Sequence, residues 1–277
     1  MKTDTRARHN EWALILGASS GFGGATAIEL ARIGYNIFGI HLDRQATMPL
    51  VQEIIKEIKH TGAKSVFYNI NAADAIKQSE TLDDIQEQFA RDPGSTIKVL
   101  LHSLAFGSLK PFIAKKSEDA LTQAQMEMTL DVMAHSIVYW TQGLVVRGLM
   151  KRGGRIFGMT SSGGHSAIPS YGAVSAAKAS LESHIRQLAM ELGPYGITAN
   201  AIMAGVTDTP ALRKIPGNVG MIDIARHKNP GGRLTTPEDI AKVIGLLAQD
   251  GAQWVSGNVI GVDGAEDIVG YIGQRKS

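Results

Sequence analysis

The chain of 277 residues contains no cysteine. That excludes disulfides, thiolate nucleophiles and thiolate metal ligands, and it fits a reducing compartment. No apolar run approaches the ~18 residues of a membrane span. Charge of either sign is not in excess: 28 Lys and Arg stand against 26 Asp and Glu, a formal net charge of +2. Such a balance gives no whole-protein field of the kind a nucleic-acid binder needs. His102, His135 and His165 share no metal-ligand spacing with one another or with a carboxylate, so no metal site is expected. Internal repeats, low-complexity tracts and linkers are also missing. Residues 1–11 are polar and lack the apolar core of a secretory signal. They read as a loose arm before a single domain at 12–277, in a cytoplasmic protein with no membrane or nucleic-acid partner.

What is present is an ordinary globular balance, 44% hydrophobic and 19% charged, on a chain long enough for one large core. Short apolar runs with strand character alternate with amphipathic helical stretches. Trp12–Gly17, Asn36–Leu42, Ser65–Ile70, Ile97–His102, Arg155–Thr160, Gly196–Met203 and Val259–Val262 read as strands. Gly21–Ile33, Met48–His60, Ala75–Phe89, Gln123–Met150, Ser175–Leu192 and Pro237–Gln249 read as helices, the last capped by Thr236. This alternation predicts an α/β fold, a Rossmann-type doubly wound parallel sheet. The stretch 205–233 breaks the rhythm, with Pro210, Pro216, Gly217, Pro230, Gly231 and Gly232 around short helical fragments. A long irregular segment in a compact domain reads as a substrate lid.

Two places carry chemistry. Gly17-Ala-Ser-Ser-Gly21-Phe-Gly23 lies between the first strand and the first helix. Its glycines permit a tight turn and close approach to a pyrophosphate, which the helix N-terminus would attract. At the end of the second strand, Asp43 suits a ribose 2′-hydroxyl and Arg44 a 2′-phosphate. The other place is Met159–Leu181. Tyr171 and Lys178 are seven positions apart, nearly two helical turns, which points both from one face roughly 10 Å apart. An ammonium near the phenol is expected to favour phenolate and sharpen the hydroxyl as a donor. Ser161 completes a set suited to carbonyl polarisation.

These features, with Asn200-Ala-Ile-Met-Ala-Gly205 and Val262-Asp-Gly264, resemble the short-chain dehydrogenase/reductase family over nearly the whole chain. The departures narrow the resemblance. Ordinary members have three residues between Tyr and Lys, which would place the Tyr at Val174. They carry Asn-Asn-Ala-Gly where this chain has His102-Ser-Leu-Ala105, an Asn at Asp131, and a Ser at Gly158. Six residues between Tyr and Lys and a His-Ser pair after the fourth strand look like the enoyl-acyl carrier protein reductases. The segments Asp208–Leu212, Ala225–Pro230 and Gly232-Arg233 look like enoyl reductase III.

The resemblance implies reduction of a trans-2-enoyl thioester, carried on acyl carrier protein or coenzyme A, in fatty acid synthesis. NADPH is the implied cofactor, with NADH as the alternative. Tyr171 would hold the thioester carbonyl and Lys178 the nicotinamide ribose. Ser161 stands where enoyl reductase I has a second tyrosine. Gly17, Ser19, Ser20, Gly21, Phe22, Gly23, Arg44, Asn71, Ala72, Ser103, Leu104, Thr207 and Thr209 would surround the cofactor, with Asn71 and Ala72 flanking the adenine. His102 would be an oriented residue at a strand end, and His165 a lesser candidate for the pocket wall. A homotetramer is implied, and the apolar breadth of the helices at 123–150 and 175–192 agrees with a self-associating chain. The rivals are a short-chain enzyme acting on a ketone or alcohol, and a nucleotide-sensing protein without turnover.

Overall fold

The computed structural model describes residue 8 and residues 10–270. Seven strands form one wholly parallel sheet: β1 (Glu11–Leu16), β2 (Asn36–His41), β3 (Ser65–Asn69), β4 (Thr96–His102), β5 (Arg155–Ser161), β6 (Thr198–Ala204) and β7 (Val259–Val262). Their order is β3-β2-β1-β4-β5-β6-β7. Strands at the centre are buried on both faces, so β1 is apolar from Trp12 to Leu16 and does not alternate. The chain reverses direction across the sheet between β1 and β4, whose ends meet in register at Leu16 and His102. A crevice opens at such a reversal, beyond the carboxyl ends of the strands.

Helices cover both faces. On one side α1 (Gly21–Arg32), α2 (Met48–His60) and α8 (Pro237–Leu247) bury residues such as Leu30, Ile58 and Ile244 against Ile15, Leu101 and Phe157. On the other, α3 (Ala75–Arg91), α4 (Gln123–Leu130), α5 (Ser136–Val146) and α6 (Gly172–Leu192) pack Ile85, Trp140 and Leu181 on Leu14 and Leu100. Several helix starts have a side-chain reason. Asp74 accepts from two amides of α3, and Thr122 and Thr236 form capping boxes with Gln125 and Asp239. Among the described residues no helix is long and apolar enough to cross a membrane, and no cluster could hold a metal ion.

Three expectations change. The helix expected at Gln123–Met150 is two helices joined by a π-helical turn, Asp131–His135, and it stops at Val146. Ser136 Oγ donates back to the Val132 carbonyl at 2.9 Å beside that turn, and Gly148 at φ 65° turns the chain away. The irregular segment at 205–233 holds an eleven-residue helix, α7 (Asn218–Lys228), begun by Gly217 at φ 78°. Its buried residue is Ala225, so its sequence carries little periodic signal. The arm is shorter than residues 1–11: Glu11 opens β1, and Arg8 donates to Glu11 and to the Tyr35 hydroxyl. Residues 1–7 and 9 of that arm, and residues 271–277 of the expected domain, lie outside the described part.

Candidate active site

The glycine loop is built backbone to backbone. Gly17, at φ 90°, lies so close to β4 that a Cβ there would stand 2.6 Å from the Ser103 carbonyl oxygen. A Cβ on Gly23 would stand 2.1 Å from the Gly17 oxygen. Ser20 is the residue before α1, and no side chain caps the helix there. An uncapped helix N-terminus behind a loop this closely drawn in suits a pyrophosphate, so the residues present fit a dinucleotide. At the tip of β2, His41, Ser19 and Thr47 surround the Asp43 carboxyl. Partial burial works to raise its pKa, but hydrogen bonds from Thr47, Ser19 and His41 outweigh it and hold the carboxyl below its ordinary range. Arg44 is exposed at the same tip. Asn71 follows β3 and accepts from the Ala73 amide, while the Ala72 carbonyl accepts from the Trp140 indole at 2.8 Å.

One cleft beyond the ends of β4, β5 and β6 brings together Phe22, Ser103, Leu104, Ser161, Tyr171, Lys178, Thr207 and Thr209. Its remaining wall is largely apolar, with Leu109, Met133, Ile168, Val174, Leu212 and Met221, and no carboxylate lines it among the described residues. The other expected residues, Gly17, Ser19, Ser20, Gly21, Gly23, Arg44, Asn71 and Ala72, lie outside this cleft along the β1–β3 ends. His165 also stands outside it. That side chain is half exposed, with Nε2 3.1 Å from both carboxylate oxygens of Asp267.

Tyr171 is the residue before α6, at φ −97° and ψ 1°, so it is set by the preceding turn and not by the helix. That turn passes through Ser170 at φ 59°, a left-handed conformation uncommon outside glycine. The Tyr171 ring is buried, and the Ser161 hydroxyl lies beside it. Burial raises the Tyr171 pKa, with Ser161 pulling the other way. The two hydroxyls do not reach good hydrogen-bond geometry, and Ser161 Oγ is buried without a partner. The expected stabilisation of phenolate by Lys178 is therefore not found: burial raises the Tyr171 pKa, and the Lys178 charge is not among the groups that act on it. Lys178 donates to the Met159 carbonyl at 2.7 Å. Burial pushes its pKa down to about 8, opposed by Glu182 one turn further along α6. Glu182 itself accepts from Thr160 Oγ1 at 2.6 Å. Its i,i+4 spacing from Lys178 was a signal that the sequence reading passed over.

His102 is fully buried, with Nε2 2.8 Å from Ser136 Oγ. Ser136 spends its single proton on the Val132 carbonyl, so His102 donates from Nε2 and its Nδ1 is left bare and unpartnered. Burial, followed by the Lys178 charge, pushes its pKa down to about 3. It is a neutral, oriented residue, as expected.

Comparison with known proteins agrees with this geometry. A family profile described as Enoyl-(Acyl carrier protein) reductase matches residues 17–265. An NADH enoyl-acyl-carrier-protein reductase of Nostoc sp. is 31% identical, covering 74% of this chain and 76% of its own length. A 3-oxoacyl-acyl-carrier-protein reductase of Pseudomonas aeruginosa is 30% identical, covering 91% and 95%. The solved NADH enoyl-acyl-carrier-protein reductase of Aquifex aeolicus superposes with a TM-score of 0.79 at 25% identity, covering 95% of this chain and 99% of that one. The parallel sheet, the glycine loop and the cleft with its Tyr and Lys thus have one explanation: the chain belongs to the short-chain dehydrogenase/reductase family, as an NAD(P)-dependent oxidoreductase.

Proposed function

We propose that this chain reduces the carbon–carbon double bond of a trans-2-enoyl thioester. The observation that carries the reading is Val174. It lines the cleft at the position where the family's ketone reducers place their tyrosine, and Tyr171 supplies the cleft's phenol instead. A valine cannot give a proton to an alkoxide. A nicotinamide dinucleotide held by the glycine loop and Lys178 would supply hydride to the β-carbon, leaving negative charge on the thioester oxygen until the α-carbon takes up a proton from solvent. Tyr171, kept protonated by its burial, donates a hydrogen bond to that oxygen. Lys178, buried at the floor of the cleft, holds the ribose hydroxyls. The apolar wall excludes water and takes the acyl chain. Residues 205–233 act as the lid that completes that wall. Exposed Tyr139, Val146 and Met190 on α5 and α6 support a homo-oligomer.

NADPH is the proposed reductant. Asp43 is already engaged by protein donors, whereas the exposed Arg44 has a guanidinium to offer a 2′-phosphate. The alternative activity is ketone reduction, which the Pseudomonas relative's name favours. Crotonyl and acetoacetyl thioesters, each with NADPH and NADH, separate the readings. The crotonyl compound should oxidise NADPH well and the acetoacetyl compound hardly at all. Tyr171→Phe should cost on the order of 10²–10³ in kcat, as for the loss of an oxyanion-hole donor. Acetoacetyl reduction without crotonyl reduction would sink the assignment.

A further inference from the structure

The turn after β7 holds a carboxyl that the chemistry above does not use. Glu266 is 6% exposed. Its Oε1 accepts from the Val206 amide at 3.1 Å, and its Oε2 is buried without a partner. Val206 lies two residues beyond β6 and one before Thr207, where the strand turns into the lid. The same turn reaches the far end of the lid. Asn229 Nδ2 donates to the Asp263 carbonyl at 2.8 Å, and Lys228 Nζ donates to the Asp267 carbonyl at 3.3 Å. A third tie runs to the loop after β5, where His165 meets the Asp267 carboxylate.

The turn is itself over-determined. Asp263 Oδ1 and Oδ2 accept from the Ala265 and Asp267 amides, and Ala265 is held at φ 69°. Three hydrogen bonds therefore tie the two ends of the lid to one rigid turn. A Cβ on Gly205 would stand 2.5 Å from Thr235 Oγ1 and 3.1 Å from the Asp263 backbone, so the bend leaves β6 through a narrow gap. Burial, with Asp263 adding to it, raises the Glu266 pKa; the Val206 amide, Lys228 and the Asn229 side chain oppose that. A buried carboxyl costs stability unless something is gained by placing it there.

We propose that Glu266 is a positioning residue for the reaction. By accepting the Val206 amide it fixes the strand-to-lid bend that presents Thr207 and Thr209 to the dinucleotide, while its own turn anchors the lid's far end. This rests on the assignment of those two threonines to the cofactor. Glu266 touches neither cofactor nor substrate and acts through the backbone of residue 206.

The test compares Glu266→Met, which fills the space without an acceptor, with Glu266→Gln, which keeps one. Two measurements are made: amide hydrogen exchange of the ligand-free protein, and NADPH affinity from quenching of protein fluorescence. Glu266→Met should speed exchange at Val206 at least about tenfold and weaken NADPH about tenfold, the scale of one charge-assisted hydrogen bond. It should raise the KM for NADPH more than it lowers kcat. Glu266→Gln should stay within about threefold of wild type in each. If Glu266→Met does not fold, Lys228→Met carries the test, since it loosens the far anchor alone: exchange over residues 225–229 should rise while Val206 stays protected. Wild-type exchange and affinity in Glu266→Met, equal damage in Glu266→Gln, or unchanged exchange in Lys228→Met would each overturn the proposal. A wild type that binds no nicotinamide dinucleotide would instead overturn the cofactor reading beneath it.

Discussion

The two walls of the cleft both depend on glycine, but for opposite reasons. Beside the cofactor end, two glycines face backbone: Gly17 faces the Ser103 carbonyl and Gly23 faces the Gly17 carbonyl. On the substrate wall, glycines face side chains. A Cβ on Gly107 would meet Thr129, Met133 and Val174, one on Gly163 the Tyr171 ring, and one on Gly172 the Phe112 ring. Backbone pinned just beyond the ends of β1 and β4 has little room to move, whereas a side chain can change rotamer. One wall is therefore a fixed mould, and the other can be recut without disturbing the sheet. A family that keeps its cofactor and varies its substrate needs this division.

The comparison can be broken most easily at Gly23. Gly23→Ala should weaken dinucleotide binding about 10–100-fold, the scale of an overpacked contact that cannot relax, as measured by titration of the folded protein. Near-normal affinity would show that the mould yields.

A second, smaller effect sharpens the comparison, because Lys178 serves both walls. Its free-protein pKa is depressed to about 8, and only the ammonium can hold ribose hydroxyls and favour a developing enolate. kcat/KM should be flat below pH 8 and then fall, approaching tenfold per pH unit, as the pH rises through that value. Stability runs the other way. A lysine whose pKa is lowered on folding costs stability while protonated, so this cost fades between pH 8 and the unfolded value of 10.5. Activity and thermal melting of the ligand-free protein should therefore diverge above pH 8, and parallel curves would remove Lys178 from both.

The smallest effect is predicted at Gly172. Its Cβ would stand 2.4 Å from the Phe112 ring, but Phe112 is half exposed and free to swing away. Gly172→Ala also favours the first turn of α6. Turnover should change less than about threefold, measured with the crotonyl thioester. A loss as large as that of Gly23→Ala would erase the distinction between the walls.

The same distinction explains how much of the molecule was legible in the sequence. The strands and the glycine loop follow from local rules: apolar runs buried on both faces, and glycines where backbones touch. All seven strands lie within two residues of their expected limits. The Tyr–Lys spacing was readable too, since it is a count along the chain, although Tyr171 itself stands just before α6. What escaped was long-range or weakly periodic. The helix α7 exposes most of its surface and buries Ala225, so no apolar stripe announces it. Glu266 and Val206 are 60 residues apart, and nothing at either position hints at the other. The phenolate expectation failed because a count of residues measures neighbours and not desolvation.

The π-helical turn at Asp131–His135 has a consequence for how this chain can change over evolutionary time. A π turn holds one residue more than an α-helical path would need, so everything after it is rotated by about 100° relative to an unbroken helix. Ser136 is the first residue beyond it, and the phase it inherits aims its hydroxyl at His102. A one-residue deletion there would heal the helix and swing that hydroxyl off the imidazole, leaving a sealed histidine with neither nitrogen satisfied. Substitutions along α4 and α5 can drift singly, but the length between Gln123 and Val146 is locked to the presence of a histidine at the end of β4.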